Sequence, residues 1–285
     1  LAHDAHAPLP TTVQAAPELF ERRDLLMIKR ARAATDPALQ YISEIAREAA
    51  RTRTRHLVLL SGVPGSGKTL VGLQLVHAHW LDDLAVPRAN GKPAAPAVYL
   101  SGNGPLVQVL QHALQDGGGG GKTFVQAIKN YVSQHSRPGQ PVPPEHLIVF
   151  DEAQRAHDAE RVAHVHGGPV GKSEPEHLIE FCERIPEWCV LVALIGNGQA
   201  IHVGEEGGVP LWRDALRGSR RASDWTVHGA PAFAETFAGS PAASRWTPAL
   251  SLDTEIRFHL TPKVHQFVAG LLEGQSADAL SSLAD

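Results

Sequence analysis

The chain has 285 residues, of which 43% are hydrophobic and 20% are charged, so it can bury a core of ordinary globular size. Its net charge of −4 excludes a bulk basic excess, so a nucleic acid would have to bind in a local groove. Two cysteines are too few for a disulfide framework, no apolar run reaches the roughly 18 residues of a membrane span, and no signal peptide is apparent; we expect a cytoplasmic protein with reduced thiols.

Short apolar segments alternate with helical patterns along the chain. Residues 1–20 resemble a linker or arm, and residues 21–54 have apolar side chains at helical spacing. Four segments have the character of buried strands: His56–Ser61, Ala97–Leu100, Leu147–Phe150 and Cys189–Ile195. Helices are predicted at 68–80, 106–114, 122–134 and 174–183. Strand-like pieces follow at 225–228 and 250–257, and a last helix is predicted at 262–272. This alternation predicts an α/β fold with a mostly parallel central sheet flanked by helices.

The turn after the first strand has the composition of a phosphate-binding loop. Residues 62–69, Gly-Val-Pro-Gly-Ser-Gly-Lys-Thr, fit G-x-x-x-x-G-K-[ST] between a strand and a helix. Such a loop points backbone N–H groups at phosphate oxygens, its lysine reaches the β- and γ-phosphates, and its hydroxyl binds Mg²⁺. The predicted ATP-binding residues are Gly62, Val63, Pro64, Gly65, Ser66, Gly67, Lys68, Thr69 and Leu70, with Lys68 also catalytic and Thr69 also a metal ligand.

The third apolar strand ends in two neighbouring carboxylates, Asp151 and Glu152. ATP hydrolysis needs one carboxylate to hold Mg²⁺ and another group to orient and deprotonate the attacking water. Asp151 fits the first role and Glu152 the second. A nucleotide switch or a kinase could do without the second acid, so the pair favours a true NTPase.

Other patterns are weaker. The glycine tract at 117–123 also ends in Gly-Lys-Thr, but it lacks a preceding strand and the first required glycine, so we interpret it as a flexible connection. The basic clusters Arg51–Arg55 and Arg217–Arg221 could neutralise phosphates, although solvated surface is the favoured interpretation of each. Three tryptophans could stack on bases, but core packing is favoured for them: Trp212, Trp225 and Trp246.

Four segments follow the predicted strands in a fixed order: S-G-N-G-P at 101–105, D-E-A-Q at 151–154, G-N-G-Q at 196–199 and L-D-T-E-I-R at 252–257. Over roughly residues 10–275 the chain thereby resembles the superfamily-one helicases and, more closely, the bacterial helicase-like P-loop family related to the Schlafen group. The strings that carry the resemblance are SGVPGSGKTLVGLQLVH, AVYLSGNGPLVQVL, PPEHLIVFDEAQRA, LVALIGNGQAIHVGEEGG and LSLDTEIR.

The resemblance implies a RecA-like P-loop NTPase fold in three segments. Residues 1–54 would be an N-terminal arm and helices, residues 55–249 the RecA-like P-loop ATPase domain, and residues 250–285 the start of a second, truncated motor domain. Because the chain begins at Leu1 and has a single methionine, Met27, we expect it to be a piece of a longer protein that has the rest of that second domain.

The resemblance also implies roles for residues outside the phosphate loop. Gln199 would sense the γ-phosphate or the attacking water, and Arg257 would contact the γ-phosphate. A single strand of DNA or RNA would touch the turn after the second strand, at Ser101, Gly102 and Asn103.

These patterns predict the ATP-binding and ATP-hydrolysing motor domain of a DNA or RNA helicase-like protein, with ATP and Mg²⁺ as ligands and a single-stranded nucleic acid as partner. By itself the chain is expected to bind ATP better than it hydrolyses it. Two alternatives stay open. One is an ATPase switch that acts on a protein partner in defence or signalling, and the other is a nucleotide-binding scaffold without turnover.

Overall fold

The computed structural model describes residues 29–77, 79–84, 86, 97–116, 124–136, 139, 141–166, 171–196 and 208–253. In these residues eight strands form one sheet: β1 (Arg55–Gly62), β2 (Ala97–Ser101), β3 (Val125–Ala127), β4 (Leu147–Phe150), β5 (Cys189–Gly196), β6 (Trp225–Gly229), β7 (Ala243–Trp246) and β8 (Ser251–Leu252). The α-helices are α1 (Lys29–Thr52), α2 (Lys68–Val76), α3 (Gly104–Asp116), α4 (Ile128–His135), α5 (Ala159–His166), α6 (Glu174–Arg184) and α7 (Gly208–Gly218).

The strands run in the order β3-β2-β4-β5-β1-β6-β7, and every pairing among them is parallel. β6 pairs with residues 55–59 of β1, and β8 pairs in parallel with the last two residues of β1, Ser61 and Gly62. One strand, β5, therefore lies between the strand that leads into the glycine-rich loop and the strand that ends in the two acids. The predicted RecA-like α/β fold is confirmed.

Both faces of the sheet are covered, which explains the continuous apolar runs in the sequence. In β1, Val58 and Leu60 pack with α1, α2 and α3, whereas Leu57 and Leu59 pack on the opposite face with α4, α6 and α7. All four side chains are fully buried. The central strands have no solvent-facing side, so they lack the alternation of apolar and polar residues that half-exposed strands show.

Arg55 belongs to the fold rather than to a solvated basic surface. It is buried, and its guanidinium donates to the carbonyl oxygens of Cys182 at 3.1 Å, Glu183 at 3.3 Å and Ile185 at 2.9 Å. These carbonyls lie at the carboxyl end of α6, where a cation compensates the helix dipole and unsatisfied acceptors. The interpretation of Arg51–Arg55 as solvated surface is therefore wrong for Arg55.

The segment predicted as one helix at 122–134 is different in the structure. Residues 125–127 form β3, which pairs with β2, and α4 starts only at Ile128. Val125 is fully buried against the sheet, so pairing at the sheet edge overrides the local helical pattern. The edge strand β7 was not predicted, because residues 243–246 are largely exposed and have no apolar run.

The two ends of the described chain both contact the sheet. The apolar face of α1, which includes Ile42 and Ala46, packs in the same core layer as β1 and β5, and β8 is a strand of the same sheet. The division at residues 54 and 249 stays a prediction. None of the helices described in the structure combines the length and hydropathy that crossing a bilayer requires.

A glycine in α2 is required by close packing. A Cβ at Gly72 would lie 2.8 Å from Tyr99 Cε2, 3.0 Å from Leu194 Cδ1 and 3.1 Å from Val149 Cγ1. We expect Gly72→Ala to lower the free energy of unfolding in urea by about 1–2 kcal/mol, because overpacking outweighs the gain of about 1 kcal/mol in helix propensity. Gly218→Ala is the control, since its Cβ would meet nothing within 4 Å. Equal stabilities of the two variants would contradict the packing argument.

A chain of hydrogen bonds connects two buried histidines between α1 and the sheet. His56 Nδ1 lies 2.9 Å from His228 Nε2, whose Nδ1 lies 3.2 Å from the Tyr41 hydroxyl. Thr54 Oγ1 lies 2.8 Å from His56 Nε2. Burial lowers the pKa of His56 to about 4 and that of His228 to about 3. Both rings are therefore neutral in the folded protein at neutral pH.

These lowered pKa values predict acid sensitivity. The unfolded state takes up protons near pH 6.5 and the folded state does not, so the contribution of each histidine to stability is lost as the pH falls below about 6.5. We expect a loss of roughly 2 kcal/mol per histidine between pH 7 and pH 5. The measurement is urea unfolding at pH 7 and at pH 5. Between these pH values the free energy of unfolding of His228→Gln should fall clearly less than that of wild type.

Candidate active site

The glycine-rich loop after β1 has the curled backbone that its sequence predicts. Gly65 and Gly67 have φ angles of 79° and 94°, in the left-handed region that glycine occupies without strain. Gly67 directly precedes α2, and the Val71 N–H donates to its carbonyl at 2.9 Å. The amino end of α2 therefore points its positive dipole into the loop.

The start of the loop is closely packed against β8. A Cβ at Gly62 would lie 2.5 Å from Ser66 Oγ and 2.9 Å from Leu252 Cβ, so no side chain fits there. The Val63 N–H donates to the Leu252 carbonyl at 3.3 Å. Lys68 is buried within the curl, and its Nζ donates to the Gly62 carbonyl at 2.7 Å and the Val63 carbonyl at 3.0 Å.

The acids lie at the same edge of the sheet as the loop. Gly62 is paired with Gly196, and the N–H of Asp151 donates to the Leu100 carbonyl at 2.8 Å, so these strands end together. Asp151 is 3% exposed, and burial raises its pKa to about 6, although the Tyr99 hydroxyl and the Lys68 ammonium act in the opposite direction. The lysine and the first acid are therefore close enough to interact electrostatically.

Glu152 is held in an unusual backbone conformation. Its φ of 52° and ψ of 39° are left-handed, a region that residues other than glycine rarely adopt and that is often found at functional sites. Gln154 bridges it to the sheet: Gln154 Nε2 donates to the Glu152 carboxylate at 2.5 Å, and the Gly196 N–H donates to Gln154 Oε1 at 2.7 Å. From α7, the Trp212 indole donates to the Ala153 carbonyl at 3.0 Å and supports the same turn.

The residues at this edge fit a magnesium–nucleotide ligand. Ser66 Oγ is buried in the loop and has no hydrogen-bond partner among the residues that the structure describes, as expected of a group whose acceptor belongs to a ligand. Mg²⁺ at nucleotide sites takes only one or two protein oxygens and completes its shell with phosphates and water. The Thr69 hydroxyl and the Asp151 carboxylate both lie beside the Tyr99 hydroxyl, so two oxygens of the kind that Mg²⁺ prefers are near each other at this edge.

Comparison with protein families identifies a helicase-domain family. Residues 55–284 match the model of the Schlafen group 3 DNA/RNA helicase domain. The chain belongs to this family. A comparison with curated proteins gave no match. The family assignment agrees with the glycine-rich loop and the D-E-A-Q turn that the fold brings to one edge.

The predicted nucleic-acid contacts of this Schlafen-type helicase domain differ among themselves in exposure. Gly102 and Asn103 are exposed, whereas Ser101 is fully buried and its Oγ accepts from the Asn103 N–H at 3.1 Å. Asn103 Oδ1 accepts from the Leu106 N–H at 3.2 Å and so caps the start of α3. The Ser101 hydroxyl is therefore used to shape the turn, and the exposed part is the backbone from Gly102 onward.

Other predicted residues lie partly outside the described structure. Gln199, Arg257 and the glycine tract at 117–123 are not among the described residues. Trp212 and Trp225 are buried, so core packing is confirmed for both and they are not available to stack on bases.

The role of Gln154 in the helicase domain was missed from the sequence. The residue was visible in the D-E-A-Q string, but its two bonds depend on how closely Glu152 and Gly196 approach in the fold. We expect Gln154→Ala to lower single-turnover ATP hydrolysis roughly 10- to 100-fold, because Glu152 loses its orientation. ATP affinity should stay within about threefold of wild type, since the loop is untouched.

Gln134→Ala, on the exposed surface of α4, is the matched control and should hydrolyse ATP as wild type does. Unchanged turnover in Gln154→Ala would mean that Glu152 does not depend on this amide.

Proposed function

We propose that this chain is the ATP-binding and ATP-hydrolysing motor domain of a DNA or RNA helicase-like protein. The observation that carries the proposal is the convergence of a curled glycine loop, its buried lysine and an acid pair at the carboxyl edge of one parallel sheet. Open α/β sheets bind ligands at that edge. Membership of a helicase-domain family supports the motor function over other uses of a phosphate loop.

In this proposal the loop binds the triphosphate. Lys68 exchanges its bonds to the Gly62 and Val63 carbonyls for bonds to phosphate oxygens, which are stronger acceptors because they are charged. Ser66 Oγ gains the partner that it lacks. The amino end of α2 adds its dipole. Each of these interactions favours a polyphosphate over a neutral ligand.

Thr69 and Asp151 are the residues that would hold Mg²⁺. A bound Mg²⁺ would supply positive charge that offsets the charge developing on the phosphate oxygens. Glu152 orients the attacking water and accepts its proton, and Gln154 keeps the Glu152 carboxylate aimed by holding one of its oxygens. Gln199 and Arg257 are proposed as further partners of the γ-phosphate.

Single-stranded DNA or RNA is the proposed partner. The exposed backbone of Gly102 and Asn103 begins at the carboxyl end of β2, two strands from β5 on the same sheet edge as the loop. Backbone N–H groups at such a turn bind phosphates without reading the base sequence. A binding event there would lie close to Asp151, since the Asp151 N–H donates to Leu100, the residue before Ser101.

Two substitutions test the ATPase. Lys68→Ala should weaken ATP binding at least 10-fold, because the main cation of the phosphate site is lost. Glu152→Gln should retain ATP binding and lower hydrolysis by roughly 100-fold or more, because the proton acceptor is lost. Binding is measured by fluorescence of a labelled ATP analogue and hydrolysis by phosphate release, with and without single-stranded DNA and RNA. The matched controls, Lys172→Ala and Glu180→Gln, remove the two partners of an exposed ion pair of 2.6 Å.

The outcomes separate the proposed motor from its alternatives. Hydrolysis that rises with single-stranded nucleic acid and falls with added salt supports the motor. A rate of ATP hydrolysis that does not change when nucleic acid is added supports an ATPase switch that acts on a protein. A nucleotide-binding scaffold would be supported if both wild type and Glu152→Gln bind ATP but neither hydrolyses it. Absence of ATP binding by wild type would refute all three.

A further inference from the structure

Tyr99 is a buried tyrosine beside the candidate magnesium residues, and no sequence motif singled it out. It lies near the end of β2, paired with Val149 of β4 and Val125 of β3, and its side chain is fully buried. Its ring packs under α2 in the space that Gly72 leaves open, because a Cβ there would lie 2.8 Å from Tyr99 Cε2. The ring is therefore fixed between the sheet and the helix that follows the phosphate loop.

The hydroxyl of Tyr99 points at the active site. It lies next to the Asp151 carboxylate and the Thr69 hydroxyl, but among the described residues no atom forms a direct hydrogen bond with it. Burying a hydroxyl without a formed hydrogen bond is unfavourable, because the group loses its bonds to water and gains none in return. Phenylalanine would fill the same space without that cost, so packing alone does not account for a tyrosine here.

Tyr131 shows what a structural tyrosine looks like in the same domain. It is also fully buried, and its hydroxyl donates to the Glu145 carboxylate at 2.9 Å. The Tyr131 hydroxyl therefore has its hydrogen bond in the protein without a ligand, whereas the Tyr99 hydroxyl forms none with the described residues. The difference matters because Asp151 and Thr69 are the residues that would hold Mg²⁺.

We propose that Tyr99 is a positioning residue of the magnesium site, whose hydroxyl donates to the Asp151 carboxylate when a magnesium–nucleotide is bound and thereby fixes that carboxylate against Thr69. The proposal rests on the proposed ATPase function. In this role Tyr99 would act on the metal through Asp151. Partners of this kind orient metal ligands, and their loss typically lowers metal affinity 10- to 100-fold.

The test compares Tyr99→Phe with Tyr131→Phe and wild type. Each variant removes one buried oxygen and keeps the ring. ADP affinity is measured in EDTA, and Mn²⁺ affinity of the ADP-bound protein is measured by electron paramagnetic resonance, which requires no turnover. Tyr99→Phe should bind ADP in EDTA within about twofold of wild type and should bind Mn²⁺ roughly 10-fold more weakly. Tyr131→Phe should match wild type in both measurements.

Three other outcomes would contradict the proposed role of Tyr99, and each has a different pattern of ADP and Mn²⁺ affinities. Equal Mn²⁺ affinity of Tyr99→Phe and wild type means that the hydroxyl does not position the metal residues. An equal loss of ADP affinity with and without metal, together with lower stability in urea, means that Tyr99 only supports the fold. If wild type itself binds no ADP in either condition, the proposed ATPase function fails, which is a result distinct from both.

Discussion

The attraction between the Lys68 ammonium and the Asp151 carboxylate exists because parallel strands end at one edge of the sheet. The two residues lie more than 80 positions apart in the chain, on segments that follow β1 and β4, and β5 separates those strands. Register fixes the approach: Gly62 pairs with Gly196, and the Asp151 N–H bonds to Leu100. A shift of one residue in either strand would move the lysine, the acid or both out of the site.

Around this charge pair the protein holds several groups in arrangements that are costly by themselves. Lys68 and Asp151 are buried, Glu152 has a left-handed backbone, and Ser66 Oγ has no hydrogen-bond partner in the described part of the chain. Such groups persist only where the surrounding structure over-determines them. Here the support comes from the bridge of Gln154 and from the fully packed layers above and below the sheet.

The phosphate loop is also tied to the segment that follows β7. Leu252 packs on Gly62 and accepts from the Val63 N–H, and the Ser61 hydroxyl donates to the Leu250 carbonyl at 3.3 Å. A displacement of residues 250–252 would therefore move the start of the loop through these direct contacts, and the helices need not shift. In the RecA-like domain described here, the first and last strands in sequence share the edge where a nucleotide would bind.

Features of the structure that depend on neighbouring residues in the chain could be predicted from the sequence. Gly65 and Gly67 have positive φ angles within the loop itself, and the apolar run of β5 is buried along its whole length. The partners of Gln154 and the surroundings of Tyr99 could not be predicted, because each depends on residues brought together by strand order.

The loop, the acid pair and the α/β class can be inferred from the order of amino acids alone, since they follow from the backbone freedom of glycine and from hydrophobic periodicity. Three features became visible only in the folded chain: residues 125–127 form a strand, Arg55 caps α6, and a buried tyrosine hydroxyl faces Asp151. Sheet pairing and burial are long-range interactions, and their free energies exceed the local preferences that a sequence pattern records.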